Sequence, residues 1–301
     1  MSPFSERLSE AVLRCKSPLC VGIDPHLDRL PAGPDDEADA VPFEETWGAD
    51  ARRAVQAGRA LHFGEAIVEA VAGKVPAVKP QFAFFEALGA PGMVALSRLC
   101  RHARAHDLVV IGDGKRGDIA STAAAYAAAQ LGEEAPFPCD AATVAPYLGP
   151  DSMEPWLARL DQTQAGMFAL VRTSNPGSGW QADIFRAVAA WVEAASARRT
   201  GPNGLGPVGA VVGATHPALL GEMRAEMPHS WLLLPGFGAQ GATAADTRGA
   251  FRADGLGALV VGARALTFPD QKNAAWEADP RPFVAEKVDE ANRALRQVLG
   301  W

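Results

Sequence analysis

Within six consecutive residues, Asp113-Gly114-Lys115-Arg116-Gly117-Asp118, the chain places two carboxylates and two cations. Asp113 and Lys115 are two positions apart, so extended chain puts them on one side, and Lys115 and Asp118 are three apart across a turn that enters a helix. The lysine can therefore sit between two carboxylates. Flanking carboxylates keep an ammonium protonated, the ammonium offsets their mutual repulsion, and the group presents a proton donor inside a negative field. The same spacing also fits an ion network that only stabilises a strand-to-helix turn. A further lysine, Lys79, ends another apolar run and favours the chemical reading.

A second constellation suits an anion. Gly236-Phe237-Gly238-Ala239-Gln240-Gly241 follows an apolar run and is expected to open a helix, the context in which glycines let a backbone approach phosphate. The acidic residue that a dinucleotide site needs at the far end of the next strand is missing, because Asp254 precedes that strand. One phosphate, held by this loop with Gln240 and Arg264, is the better fit, since an arginine adds a fixed bidentate charge. The glycines could also be no more than a helix-entry turn. Gly204 to Gly209 has the same pattern but precedes a strand, and reads as a loop.

Positioning these groups falls to short apolar runs alternating with helical patterns. Eight strands are expected, at Leu19-Asp24, Pro76-Pro80, Leu108-Asp113, Ala142-Pro146, Met167-Val171, Val208-Gly213, Trp231-Pro235 and Ala258-Ala263. Strands so uniformly apolar belong to a parallel sheet covered on both faces, and eight strand-helix units fit a closed (β/α)8 TIM barrel better than an open sheet. Such a barrel gathers its functional residues at the C-terminal ends of its strands. Asp24, Lys79, Asp113 and Lys115 fall there, as do Thr173-Ser174-Asn175, Thr215-His216, Gln240 and Arg264. Pro31 to Glu45, rich in Pro, Asp and Glu, reads as an insertion after the first strand, ahead of a helix starting near Thr46. The simplest organisation is one domain over residues 1–301.

Composition narrows the function classes. With 301 residues, 48% hydrophobic, 21% charged and a formal net charge of -7, the chain is an ordinary globular sequence that lacks the basic balance of a nucleic-acid binder. Cys15, Cys20, Cys100 and Cys139 show no C-x-x-C spacing and read as free thiols; no apolar stretch is long enough for a membrane span, so a cytoplasmic location is expected. The histidines form no metal-binding pattern, and there is no G-x-S-x-G elbow or Walker loop. His216 and Tyr147 could line a pocket or be structural. The tryptophans are scattered and mostly read as packing.

Taken together, the segments resemble the orotidine 5'-phosphate decarboxylase family, in its longer-chain bacterial branch. The D-x-K-x-x-D-I-x-x-T signature is similar to Asp113, Lys115, Asp118, Ile119 and Thr122; Val78-Lys79-Pro80-Gln81, Gly22-Ile23-Asp24-Pro25 and Thr173-Ser174-Asn175-Pro176 resemble three further segments. Pro235-Gly236-Phe237-Gly238-Ala239-Gln240 and Gly262-Ala263-Arg264 resemble the phosphate grip. The resemblance implies conversion of orotidine 5'-monophosphate to UMP, in pyrimidine biosynthesis, without a cofactor or metal. It implies a charged array of Lys79, Asp113, Lys115 and Asp118, with Lys115 protonating C6. Asp24 and Lys79 would hold ribose hydroxyls, Ser174 the pyrimidine edge, and Pro235, Gln240 and Arg264 the phosphate end. The implied assembly is a homodimer in which Asp118 and Thr122 reach the neighbouring site. Two alternatives stay open: a metal-dependent sugar-phosphate barrel sharing the D-x-K-x-x-D cluster, and a non-catalytic nucleotide-binding relative.

Overall fold

The computed structural model describes residues 3–31, 51–215, 217–238 and 241–301. Eight parallel strands, β1 (Leu19–Ile23), β2 (Ala77–Pro80), β3 (Val109–Arg116), β4 (Ala141–Val144), β5 (Gly166–Arg172), β6 (Val208–Val212), β7 (Leu232–Pro235) and β8 (Ala258–Gly262), close in sequence order, β1 pairing with β8. All eight expected strands are present, and the closed barrel is the expected fold. β3 runs three residues past its expected end at Asp113 and takes in Lys115 and Arg116. Its pairing with β4 shifts register between Gly112 and Arg116, and Lys115 adopts φ +47°. The cluster is therefore carried on an irregular strand end rather than wholly on a turn.

Strand parity decides which side chains face the barrel interior. Cys20, Ala77, Val109, Ile111, Ala141, Phe168, Val211, Leu233, Leu259 and Val261 form an interior cluster, while their neighbours Val21, Val78, Val110, Ala142 and Val260 pack outward under the helices. The same two-residue step carries inward facing on to Asp24, Lys79, Asp113, Thr143, Pro235 and Ala263 at the upper ends. The interior below is filled. Helix α1 (Phe4–Cys15) closes the opposite end, where Phe4 meets Phe168 edge to face with centroids 6.0 Å apart.

The helical layer comprises α2 (Ala51–Val71), α3 (Phe82–Glu86), α4 (Gly89–Ala105), α5 (Ala120–Gln130), α6 (Glu154–Thr163), α7 (Phe185–Ala197), α8 (Pro217–Glu226), α9 (Arg264–Thr267), α10 (Ala274–Ala278) and α11 (Arg281–Leu299). Among the described residues no full α-helix lies between β7 and β8, where a 3-10 segment, Ala245–Ala250, takes its place. The loop after β7 thus departs from expectation. Gly238 (φ +73°) and Gly241 (φ +89°) close a tight turn in which Gly238 N–H donates to Ala242 O and Gly241 N–H to Gly238 O. The expected start of a helix near Thr46 and positions 32–45 of the expected insertion lie outside the described residues. Among the described residues no helix is long and apolar enough to cross a membrane, and all four cysteines are free and buried.

Candidate active site

A cavity of about 370 Å³ opens at the C-terminal ends of the strands, lined by Asp24, Lys79, Asp113, Lys115, Pro235 and Arg264 among the residues expected there. Asp113 is its centre. Lys79 Nζ donates to Asp113 Oδ2 at 2.5 Å and Lys115 Nζ donates to Oδ1 at 2.5 Å. Gln81 Nε2 adds a third bond to Oδ2 at 3.0 Å, and the Thr143 hydroxyl a fourth to Oδ1 at 2.9 Å. Both carboxylate oxygens are thereby occupied by donors from the ends of β2, β3 and β4.

Burial governs the electrostatics. Asp113 and Lys79 are 5% and 6% exposed, whereas the Lys115 side chain is 45% exposed. Burial alone would raise the Asp113 pKa, but the charges of Lys79 and Lys115 outweigh it and hold the carboxyl far below its ordinary range. Burial likewise opposes the Lys79 ammonium, and attraction to Asp113, then Asp24, overturns that and raises its pKa. Beneath them the Cys20 thiol, pushed up to about 12 by burial, stays neutral.

These directions set a pH window. A carboxyl with a depressed folded pKa contributes stability that is complete above its unfolded value, near 3.9, and is lost as pH falls through the folded one. Lys79, shifted upward, contributes below about 10.4, and its share is lost as pH rises through its folded value. Asp113→Asn leaves a buried ammonium without its counter-charge, a change that costs about 3–5 kcal/mol in comparable pairs. Urea unfolding should show a loss of that order at pH 7 and a narrowing gap from the parent below about pH 4. Equal midpoints at pH 7 would refute it.

The remaining expected residues divide. Asp24 is half-buried, and its Oδ1 is buried with no hydrogen-bond partner among the described residues, so an acceptor stands ready for a ligand hydroxyl. Arg264 is exposed at the cavity rim, at the start of α9. Ser174 is half-buried in the loop after β5 and packs on Gly213, where a Cβ would come within 2.8 Å of the Ser174 Cβ; it does not line the cavity. Asp118 and Thr122 do not line it either: Asp118 Oδ1 accepts from Ile119 N–H at 2.7 Å, and Thr122 is exposed on α5. The same chain's Lys115 is therefore bonded to one aspartate, not held between two. Gln240 and His216 lie outside the described residues. Tyr147, left open between pocket and structure, is 84% exposed and away from the cavity.

Three polar side chains of the cavity were given no role by the sequence reading. Gln81 lies two residues beyond Lys79, just past the end of β2, Thr143 is the one hydroxyl in the apolar β4, and His26 lies beyond β1 with its ring 4.5 Å from Phe84. Strand parity would have found Thr143; nothing in the spacing marks His26. Among the described residues no group of three or more His, Cys, Asp or Glu is placed to hold a metal ion.

The family model described as orotidine 5'-phosphate decarboxylase / HUMPS matches residues 17–278. The chain belongs to this family. An orotidine 5'-phosphate decarboxylase of Rhodopirellula baltica is 46% identical over 311 residues, covering 98% of this chain and 100% of that protein. The enzyme of the same name from Deinococcus radiodurans is 40% identical, covering 89% of this chain and 90% of its own length. Among solved structures, the OMP decarboxylase of Leishmania donovani is 33% identical with a TM-score of 0.69, covering 97% of this chain and 99% of that one. For a member of the orotidine 5'-phosphate decarboxylase / HUMPS family, the matched span contains the whole charged cluster and Arg264.

Proposed function

We propose that this chain decarboxylates orotidine 5'-monophosphate to UMP in pyrimidine biosynthesis, acting as a single catalytic domain in the cytoplasm. The observation that carries the reading is the ionised Asp113 held between Lys79 and Lys115 at the mouth of a filled barrel. Loss of CO2 from C6 of orotate leaves a lone pair in the ring plane, which the ring's π system does not delocalise, so placed charge must stabilise it. Asp113 crowds the departing carboxylate, and Lys115, the more exposed ammonium, stabilises the developing charge and delivers the proton to C6. Asp24 and Lys79 take ribose hydroxyls. Ser174 reaches the pyrimidine edge from its loop. Pro235, Gln240 and Arg264 take the phosphate end, whose remote binding energy is used at the reacting carbon. With the N–H groups of Gly238 and Gly241 engaged in their own turn, Arg264 carries the charge of that grip.

The proposed assembly is a homodimer in which Asp118 and Thr122 enter the partner's site. Their position outside their own cavity supports this, as do exposed apolar side chains in the connections after β3, β4 and β5: Ile119 is 52% exposed, Leu148 50% and Ile184 44%. Tyr147 and Ile184 line a groove of about 220 Å³ between the connections after β4 and β5. Decarboxylation is tested by following the loss of orotidylate absorbance without added metal and again with EDTA. Equal rates are expected. Activity only with a divalent cation would overturn the metal-free mechanism, and no activity at all would favour a metal-dependent sugar-phosphate enzyme or a nucleotide-binding relative.

A further inference from the structure

Thr143 has no charge and stands in an apolar strand, yet it touches both groups on which the proposed chemistry turns. It is 1% exposed, and the parity of β4 turns it inward beside Asp113. The Lys115 main-chain N–H can only donate, so the Thr143 oxygen, 3.0 Å away, accepts from it. That commits the hydroxyl's single hydrogen to Asp113 Oδ1 at 2.9 Å, since an ionised carboxylate can only accept. Both bond directions are thus dictated by the partners.

The backbone explains why such a hold matters. Lys115 sits at φ +47°, a left-handed conformation that costs a residue with a Cβ about 1–2 kcal/mol. The register shift between Gly112 and Arg116 leaves this stretch out of the regular β3–β4 ladder. The Thr143 hydroxyl supplies a bond to the strained peptide and, through the same oxygen, ties it to the carboxylate that receives Lys115 Nζ.

We propose that Thr143 is a positioning residue for the decarboxylation, clamping the left-handed Lys115 main chain and the orientation of Asp113 as one unit. This rests on the function proposed above. Without the hydroxyl, Asp113 keeps Lys79 and Gln81 on Oδ2 but loses one of its two holds on Oδ1. It can then turn away from an incoming carboxylate and relieve the repulsion that the reaction uses. Such a loss acts in the transition state rather than on binding, so it appears in kcat and not in KM.

The test compares Thr143→Val and Thr143→Ser with the parent chain on orotidine 5'-monophosphate. The valine variant should lose about 10- to 100-fold in kcat, the range for a hydrogen bond to a charged group, with KM within about threefold. The serine variant, which restores the hydroxyl, should stay within about threefold of the parent. A valine variant within about twofold of the parent in kcat, a loss confined to KM, or a serine variant as poor as valine would each overturn the inference. If the valine variant fails to fold, Thr143→Ala is measured by the same limits. A parent chain inactive on the nucleotide overturns the function and this role together; an active parent with an unaffected valine variant overturns only the role of Thr143.

Discussion

Lys115→Ala should reduce the turnover of orotidine 5'-monophosphate by about 10⁴-fold or more while leaving the fold intact. The size follows from two losses at one atom: a positioned proton donor contributes roughly 10²- to 10⁴-fold, and a preorganised charge at the reacting centre about 10²- to 10³-fold. The intact fold follows from how Asp113 is bonded. Removing Lys115 leaves Asp113 with Lys79, Gln81 and Thr143 as donors, and the lost side chain was 45% exposed. The melting midpoint should therefore fall much less than in Asp113→Asn, which strands a buried ammonium, because Lys79 still holds the carboxylate. Lys115→Arg sharpens the test. Arginine keeps the charge but does not give up its proton near neutral pH, so it should remain deeply impaired if Lys115 delivers the proton. Near-normal turnover in the alanine variant would remove Lys115 from the chemistry and with it the proposed mechanism.

How far the site was legible depended on which physical rule placed each residue. The uniformly apolar runs announced a parallel sheet, and the two-residue step along β1, β2 and β3 put Asp24, Lys79 and Asp113 at the cavity. Thr143 obeys the same rule, but a hydroxyl in the run Ala-Ala-Thr-Val announces nothing until its neighbours across the sheet are known. Lys115 was legible as a charge and not as a conformation: left-handed backbone is signalled by Gly or Asn, and here the tertiary bond from Thr143 helps hold a lysine there. The loop after β7 failed for a related reason. Its glycines were expected to open a helix, whereas Gly238 and Gly241 close a turn of their own and a 3-10 segment follows. Asp118 was read with Lys115 because they are close in sequence, yet Gly117 and the turn into α5 separate them, and nothing in the pattern of a single chain states which subunit's site a residue serves.

That last point makes mixing experiments decisive. If Asp118 serves the partner's site, Lys115→Ala and Asp118→Ala chains are each inactive alone, because every site in either homodimer lacks one essential group. In a mixed dimer the two lesions segregate. One site combines the altered Lys115 position with the altered Asp118 position, and the other receives Lys115 from one chain and Asp118 from its partner, both intact. Random exchange between equal amounts makes about half of all dimers mixed, each with one of its two sites whole, so the activity should rise from near zero to about a quarter of the parent's. The structure favours this outcome: Asp118 Oδ1 is bonded to Ile119 N–H at 2.7 Å and neither it nor Thr122 lines its own cavity. The recovery should depend on exchange, reached after mild denaturation and refolding of the mixture and absent when cross-linked homodimers are combined. If Lys115 and Asp118 acted within one chain, the mixture would stay as inactive as its components at every ratio, and the shared-site assembly would be excluded.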